Sequence, residues 1–149
     1  MTEIQDLRQG PAAAGPGNGG AGNGVRKSAA ALMAFAAATL AAVSPLHLTG
    51  VIGGTSGPYD PRAAGIAEAV IGAVLVAALI AAWRMPGQAR PLAVAAVGFA
   101  IFGFLVGLSI TARGGDAVDI AYHSAILPVL IVTFILLLRP GSRETPAPR

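Results

Sequence analysis

The chain has 149 residues, of which 54% are hydrophobic and only 11% charged, with a formal net charge of +3 and no cysteine. The missing cysteine excludes disulfides, CxxC redox chemistry, thiolate metal sites and a cysteine nucleophile. Charge is confined to tails and connections rather than to one face of amphipathic segments, which excludes an ordinary soluble domain. No cluster of Lys and Arg with interleaved aromatics is present, so nucleic acid is not an expected partner.

Residues 1–27 open the chain as a tail expected to be disordered and cytoplasmic. The run 10–24, built from Gly, Pro, Ala and Asn, has no apolar periodicity and buries too little to offset its ordering entropy. The first apolar stretch, 29–46, is 18 residues long and mostly alanine. Alanine is small and weakly hydrophobic, so this helix should depend on close neighbours and is expected in the bundle interior. Arg26 and Lys27 before it leave a cleaved signal peptide as an alternative, although the run exceeds the usual ~7–15 residues of such a segment.

The connection 47–62 contains Gly50, Gly53, Gly54, Gly57, Pro58 and Pro61, a turn-rich composition with no helical pattern. It reads either as a lid over one end of the bundle or as a plain connection. His47, placed just past the first helix, reads as a wetted interfacial side chain or as a ligand. The second stretch, 63–83, has 21 residues, and the short connection 84–90 makes the second and third helices antiparallel neighbours.

The third stretch, 91–112, has 22 residues and carries Ala96, Ala100, Gly103, Gly107 and Thr111 on one face. Gly103 and Gly107 form a GxxxG pair, and small residues let helix backbones approach closely in lipid. This packing seam joins helices of one chain or two copies of the chain. Asp116, three residues before Asp119, gives a start signal for the fourth helix. The fourth stretch, 120–138, has 19 residues and includes Pro128, expected to bend it below His123. Residues 140–149 form a second flexible cytoplasmic tail.

Roughly 20 apolar residues in a helix cross the ~30 Å hydrocarbon layer, so all four stretches are long enough to span. Uninterrupted apolar runs without alternation exclude barrel strands, which leaves helices. The predicted class is all-α, a polytopic bundle of four transmembrane helices over 28–139 with both termini cytoplasmic. That orientation puts eight basic residues inside and only Arg62 and Arg113 outside, in line with the positive-inside rule. The expected location is the inner (plasma) membrane, multi-pass. Lipid is the expected partner, with a membrane-protein partner or homo-oligomer left open.

Ionisable residues inside the spans mark the candidate site. Glu68 lies sixteen residues before Arg84, and His123 lies sixteen before Arg139. At 1.5 Å per residue, ~24 Å of helix separates each from its arginine, which places both in the outer third of the membrane with His47 at the same level. The matched spacing also raises a parallel repeat of two helical hairpins. Gly65, Glu68 and Gly72 share a face of the second helix, with the glycines as packing positions. Asp119 stands one turn before His123, where a carboxylate can fix the imidazole tautomer.

The candidate ligand or proton site is therefore His47, Glu68, Asp119 and His123. Buried charges in membranes cost about 2.5–3.5 kcal/mol on insertion scales and commonly mark function. The structural alternative has Glu68 bonded to a neighbour such as Ser109 or His123 to fix helix register. If a metal binds, the expected ligands are His47, Glu68 and His123 with Asp119 behind, suiting zinc, iron or copper. Haem between His47 and His123 is a further option, and no cofactor is called for by any motif.

The leading expectation is a small accessory or scaffold subunit, with ligand, metal or haem binding as the alternative and proton-coupled transport as the second. Transport through Glu68 lacks an ionisable relay on the inner side. An enzyme is least favoured: Ser44 and Ser124 lie near histidines without a nucleophile setting. The four spans, both ends inside, and the segment His47, Leu48, Thr49, Gly50 after the first helix resemble small four-span bacterial membrane proteins. The architecture is similar to that of the DoxX-like group. This resemblance implies a four-helix fold and membrane location, and carries over no site residue.

Overall fold

The computed structural model describes residues 19–54 and 59–139, so the tail readings for 1–18 and 140–149 lie outside it. Four helices follow one another: α1 (Gly19–Leu48), α2 (Pro61–Arg84), α3 (Ala89–Thr111) and α4 (Ala117–Leu138). Each is long and apolar enough to cross a membrane, as multi-pass insertion requires. They form a ring in which α1 packs on α2, α2 on α3, α3 on α4, and α4 back on α1.

The segment 19–27, read from sequence as tail, is helical and extends α1 below the apolar run. Nor is α1 enclosed by the other three. It occupies one corner of the ring, with Phe35 and Leu46 exposed, because its two packing faces are the narrow stripes of small residues that meet α2 and α4. Ala29, Met33, Ala36, Ala37 and Leu40 fill those stripes.

The helix ends explain the register. Pro45 lies inside α1, and the chain stays helical for another turn because only the proline's own missing N–H is lost. Gly50 then adopts φ 74°, the left-handed conformation that ends helices and suits glycine best. Asp60 caps α2 by accepting from the backbone N–H of Arg62 at 2.9 Å, with Pro61 opening the first turn. Asp116 caps α4 by accepting from Val118 N–H at 2.8 Å, as its position predicts. At the opposite end Arg90, on α3, donates to the last carbonyls of α4, Leu137 and Leu138, both at 2.8 Å. That cross-helix cap satisfies orphan carbonyls and places a cation at a helix C-terminus.

The core is a column of apolar side chains along the axis, including Leu40, Leu75, Val97, Phe104 and Leu130. Gly65 is where α1 and α2 come closest: a Cβ there would lie 2.9 Å from the Ser44 carbonyl oxygen. On α3, a Cβ on Gly103 would meet Ile71 of α2 at 2.6 Å and one on Gly107 would meet His123 of α4 at 2.7 Å. The glycine seam therefore serves packing within the chain. Pro128 sits inside α4, which continues unbroken to Leu138.

Candidate functional site: a dry acid and imidazole cluster

The end of the ring where α1 stops and α2 starts is polar inside. His47 and Asp119 are 0% exposed, Glu68 3% and His123 5%. The four come from three helices, and all four sequence candidates meet in one cluster. His47 is not a wetted residue beyond the helix: it occupies the last turn of α1 and points into the bundle, because the turn added past Pro45 rotates it onto the α2 face.

The contacts run as a chain of alternating acid and imidazole. Glu68 Oε2 stands 2.7 Å from His47 Nδ1. Across the same ring, His47 Nε2 faces Asp119 Oδ1 at 3.5 Å. Asp119 Oδ1 is in turn 2.9 Å from His123 Nδ1, which also lies 3.0 Å from the Asp119 backbone carbonyl. Since the carbonyl can only accept, His123 Nδ1 carries the proton. Glu68 thus bonds His47, and neither Ser109 nor His123. Ser109 is exposed and donates to the Val106 carbonyl of its own helix.

Two residues that sequence reasoning did not assign to the site complete it. Tyr59, from the connection, donates its hydroxyl to Asp119 Oδ2 at 2.9 Å, and Thr111 Oγ1 donates to the same oxygen at 3.1 Å. The Tyr59 hydroxyl is held above its ordinary pKa, first by burial and then by the Asp119 carboxylate it donates to, so it stays a donor. Its one legible signal was position, a lone aromatic in a turn-rich connection. Thr111 was legible only as a small residue on the seam. Below the cluster, Ser44 ties α1 to α2 by donating to the Gly65 carbonyl at 2.8 Å, and Phe104 stacks near His123 with ring centres 5.0 Å apart. The connection is pinned over this end by an antiparallel bridge between Gly54 and Gly115; residues 55–58 lie outside the described segment.

No protein-family model, curated protein or solved structure matches this chain.

The decisive feature is what the cluster leaves unpaired. His47 Nε2 and Glu68 Oε1 are buried without a hydrogen-bond partner, and Asp119 Oδ1, although 2.9 Å from His123 Nδ1, receives no well-aimed hydrogen bond because that N–H is directed to the Asp119 backbone carbonyl. Burial of such atoms normally demands a partner at a cost of about 1–3 kcal/mol each. His47, Glu68 and Asp119 each offer a ligand atom, and the three atoms lie within 4.8 Å of one another. The expected trio is thus rearranged. Asp119 takes the third place, and His123 stands behind it with Nδ1 turned back onto its own helix.

Proposed function

We propose that this chain is an integral membrane protein that holds a divalent transition-metal ion of the zinc type in the polar cluster at one end of the bundle. The observation that carries the reading is the 3.5 Å separation of His47 Nε2 and Asp119 Oδ1. It is too long for a charge-assisted hydrogen bond of ~2.7–2.9 Å. Ligand atoms ~2.0–2.2 Å from a tetrahedral ion, however, stand ~3.3–3.6 Å apart.

Tautomer chemistry supports the same reading. Glu68 Oε2 takes the Nδ1–H of His47, which leaves the lone pair on Nε2 facing a carboxylate oxygen. Two acceptors face each other there, and a cation between them turns repulsion into coordination. A carboxylate behind a metal-bound imidazole is the common supporting arrangement. In this arrangement His47 Nε2 and Asp119 Oδ1 hold the ion and Glu68 supports the imidazole from behind, so the protein leaves coordination positions unfilled, as in an open site rather than a closed structural one. Tyr59 and Thr111 orient the other oxygen of Asp119.

The scaffold reading remains the rival, with the cluster fixing helix register. It is disfavoured by the unpaired His47 Nε2 and Glu68 Oε1, since a register-fixing network gains nothing from them. The distribution of basic residues supports an orientation with the cluster at the outer face of the plasma membrane, where a metal ion would arrive from outside the cell.

Purified protein in detergent, loaded with zinc and dialysed, tests the proposal by elemental analysis. One ion per chain is expected, falling below a tenth of that in Asp119→Asn and His47→Gln with helix content unchanged. Equal metal content in all three proteins, or none in the unaltered chain, would contradict it.

A further inference from the structure

A groove of about 420 Å³ runs between α2 and α3 on the outside of the ring. Gly103 and Gly107 line it together with Phe99, Phe102 and Phe104. Phe102 is 66% exposed and Phe99 44%, so the groove opens laterally into whatever surrounds the helices, which for these spans is lipid. At its polar end it reaches Tyr59, Thr111, His123 and Glu68.

The charge of this groove is one-sided. No Lys or Arg is among its described lining residues, whereas Asp60 and Glu68 are. Glu68 is buried and its Oε1 has no hydrogen-bond partner. An anionic head group would meet two carboxylates, with only the His123 imidazole, whose Nδ1 is engaged by Asp119, set against them, and is disfavoured. A cation finds both a counter-charge and aromatic faces, which attract cations within ~6 Å of a ring centre.

The geometry points to this groove as a binding site for a lipophilic organic cation, its charge beside Glu68 and its apolar body between Phe99, Phe102 and Phe104. The ligand reaches it sideways from the membrane rather than through the end of the bundle. The site shares Glu68 with the proposed metal cluster but does not need Asp119 or His47, so the two readings stand or fall separately. Two cations beside one carboxylate also oppose each other, and by linkage each lowers the affinity for the other.

Equilibrium dialysis of radiolabelled tetraphenylphosphonium against the full chain, freed of metal by chelator, provides the test. Saturable binding of one cation per chain is expected, weakened at least tenfold in Glu68→Gln and severalfold in Phe102→Ala, and retained in Asp119→Asn. Zinc should raise the apparent Kd for tetraphenylphosphonium in the unaltered chain. If Glu68→Gln does not fold, Phe102→Ala, altered at an exposed position, decides alone. Non-saturable uptake, affinity unchanged by Phe102→Ala, or equal competition by uncharged triphenylphosphine oxide would overturn the assignment. Loss of metal binding with cation binding intact would end the metal reading and leave this one standing.

Discussion

At the level of single residues, Asp119 is the hinge of the cluster. It is fully buried, accepts from Tyr59 and Thr111 on one oxygen, and faces both histidines with the other. Removing the Tyr59 hydroxyl leaves a carboxylate oxygen short of a donor, so Tyr59→Phe is expected to cost about 1.5 kcal/mol, as for a hydrogen bond to a charged group. Thermal unfolding of the metal-free protein in detergent reads this out. The pH dependence has a definite sign. The folded hydroxyl titrates above its unfolded value, so its contribution is fully present below about pH 10 and is lost as pH rises through the folded value. The difference in Tm between the two proteins should therefore shrink in strong alkali; a difference that grows there would contradict the assigned donor role.

Which of these residues could be read from the chain follows from where their information lies. Glu68, Asp119 and His123 stand out because an ionisable side chain inside an apolar helix is expensive wherever it points. Their shared layer follows from rise per residue alone. His47 was misplaced because proline and the glycines after it argue for a helix end, while the last turn past Pro45 depends on backbone bonds such as Thr49 N–H to the Pro45 carbonyl at 2.9 Å, which composition does not encode. The pairing of His47 with Glu68 rather than Glu68 with His123 depends on the rotation of α1 about its axis, a tertiary quantity.

At the scale of whole helices, the glycines separate into kinds that spacing alone does not distinguish. Gly65 and Gly72 share a face of α2, yet their surroundings differ. A Cβ on Gly65 would press on the backbone of α1 at 2.9 Å and on His47 Cβ at 3.1 Å, whereas one on Gly72 meets Leu40 Cβ at an ordinary 3.4 Å. Backbone cannot swing aside, so Gly65→Ala must push α1 away from α2 and is expected to cost about 1–3 kcal/mol as overpacking. It should also widen the His47 to Glu68 contact and weaken metal binding. Gly72→Ala should stay within about 0.5 kcal/mol of the unaltered chain. Unfolding midpoints in the same detergent decide the matter, and equal effects would show that the two helices are not held at Gly65. The four spans themselves were legible because length and hydropathy decide them, and the pairing of α2 with α3 follows from their short connection; the closure of the ring by α1 on α4 is a tertiary contact that no connection dictates. The seam on α3 was legible as a face, but its partners, Ile71 and His123, were not.

At the scale of the whole molecule, the two ends of the bundle are chemically unlike. One end holds the acid and imidazole cluster, with Gly54 bridged to Gly115 and Tyr59 bonded to Asp119 there. The other carries Trp83, 93% exposed, with Arg84 next to it in the chain and Arg90 and Arg139 at the same end, where Arg90 caps α4, the pattern of an aromatic and basic membrane interface. This asymmetry supports the orientation expected from the basic residues, with the cluster outward. The absence of cysteine makes the orientation directly measurable. A single cysteine at Arg62 in intact cells should react with an impermeant maleimide, and one at Gly87 should react only after lysis; the reverse pattern would turn the molecule over and put the metal supply in the cytoplasm.

A cation bridging His47 and Asp119 is the centre of the proposed site. X-ray absorption at the zinc edge of the loaded protein measures that bridge itself. A nitrogen and oxygen shell at ~2.0–2.2 Å with the outer-shell scattering of one imidazole is expected, and in His47→Gln the imidazole scattering is lost from whatever zinc remains. A shell of oxygen alone, or an imidazole signal that survives that substitution, would contradict it.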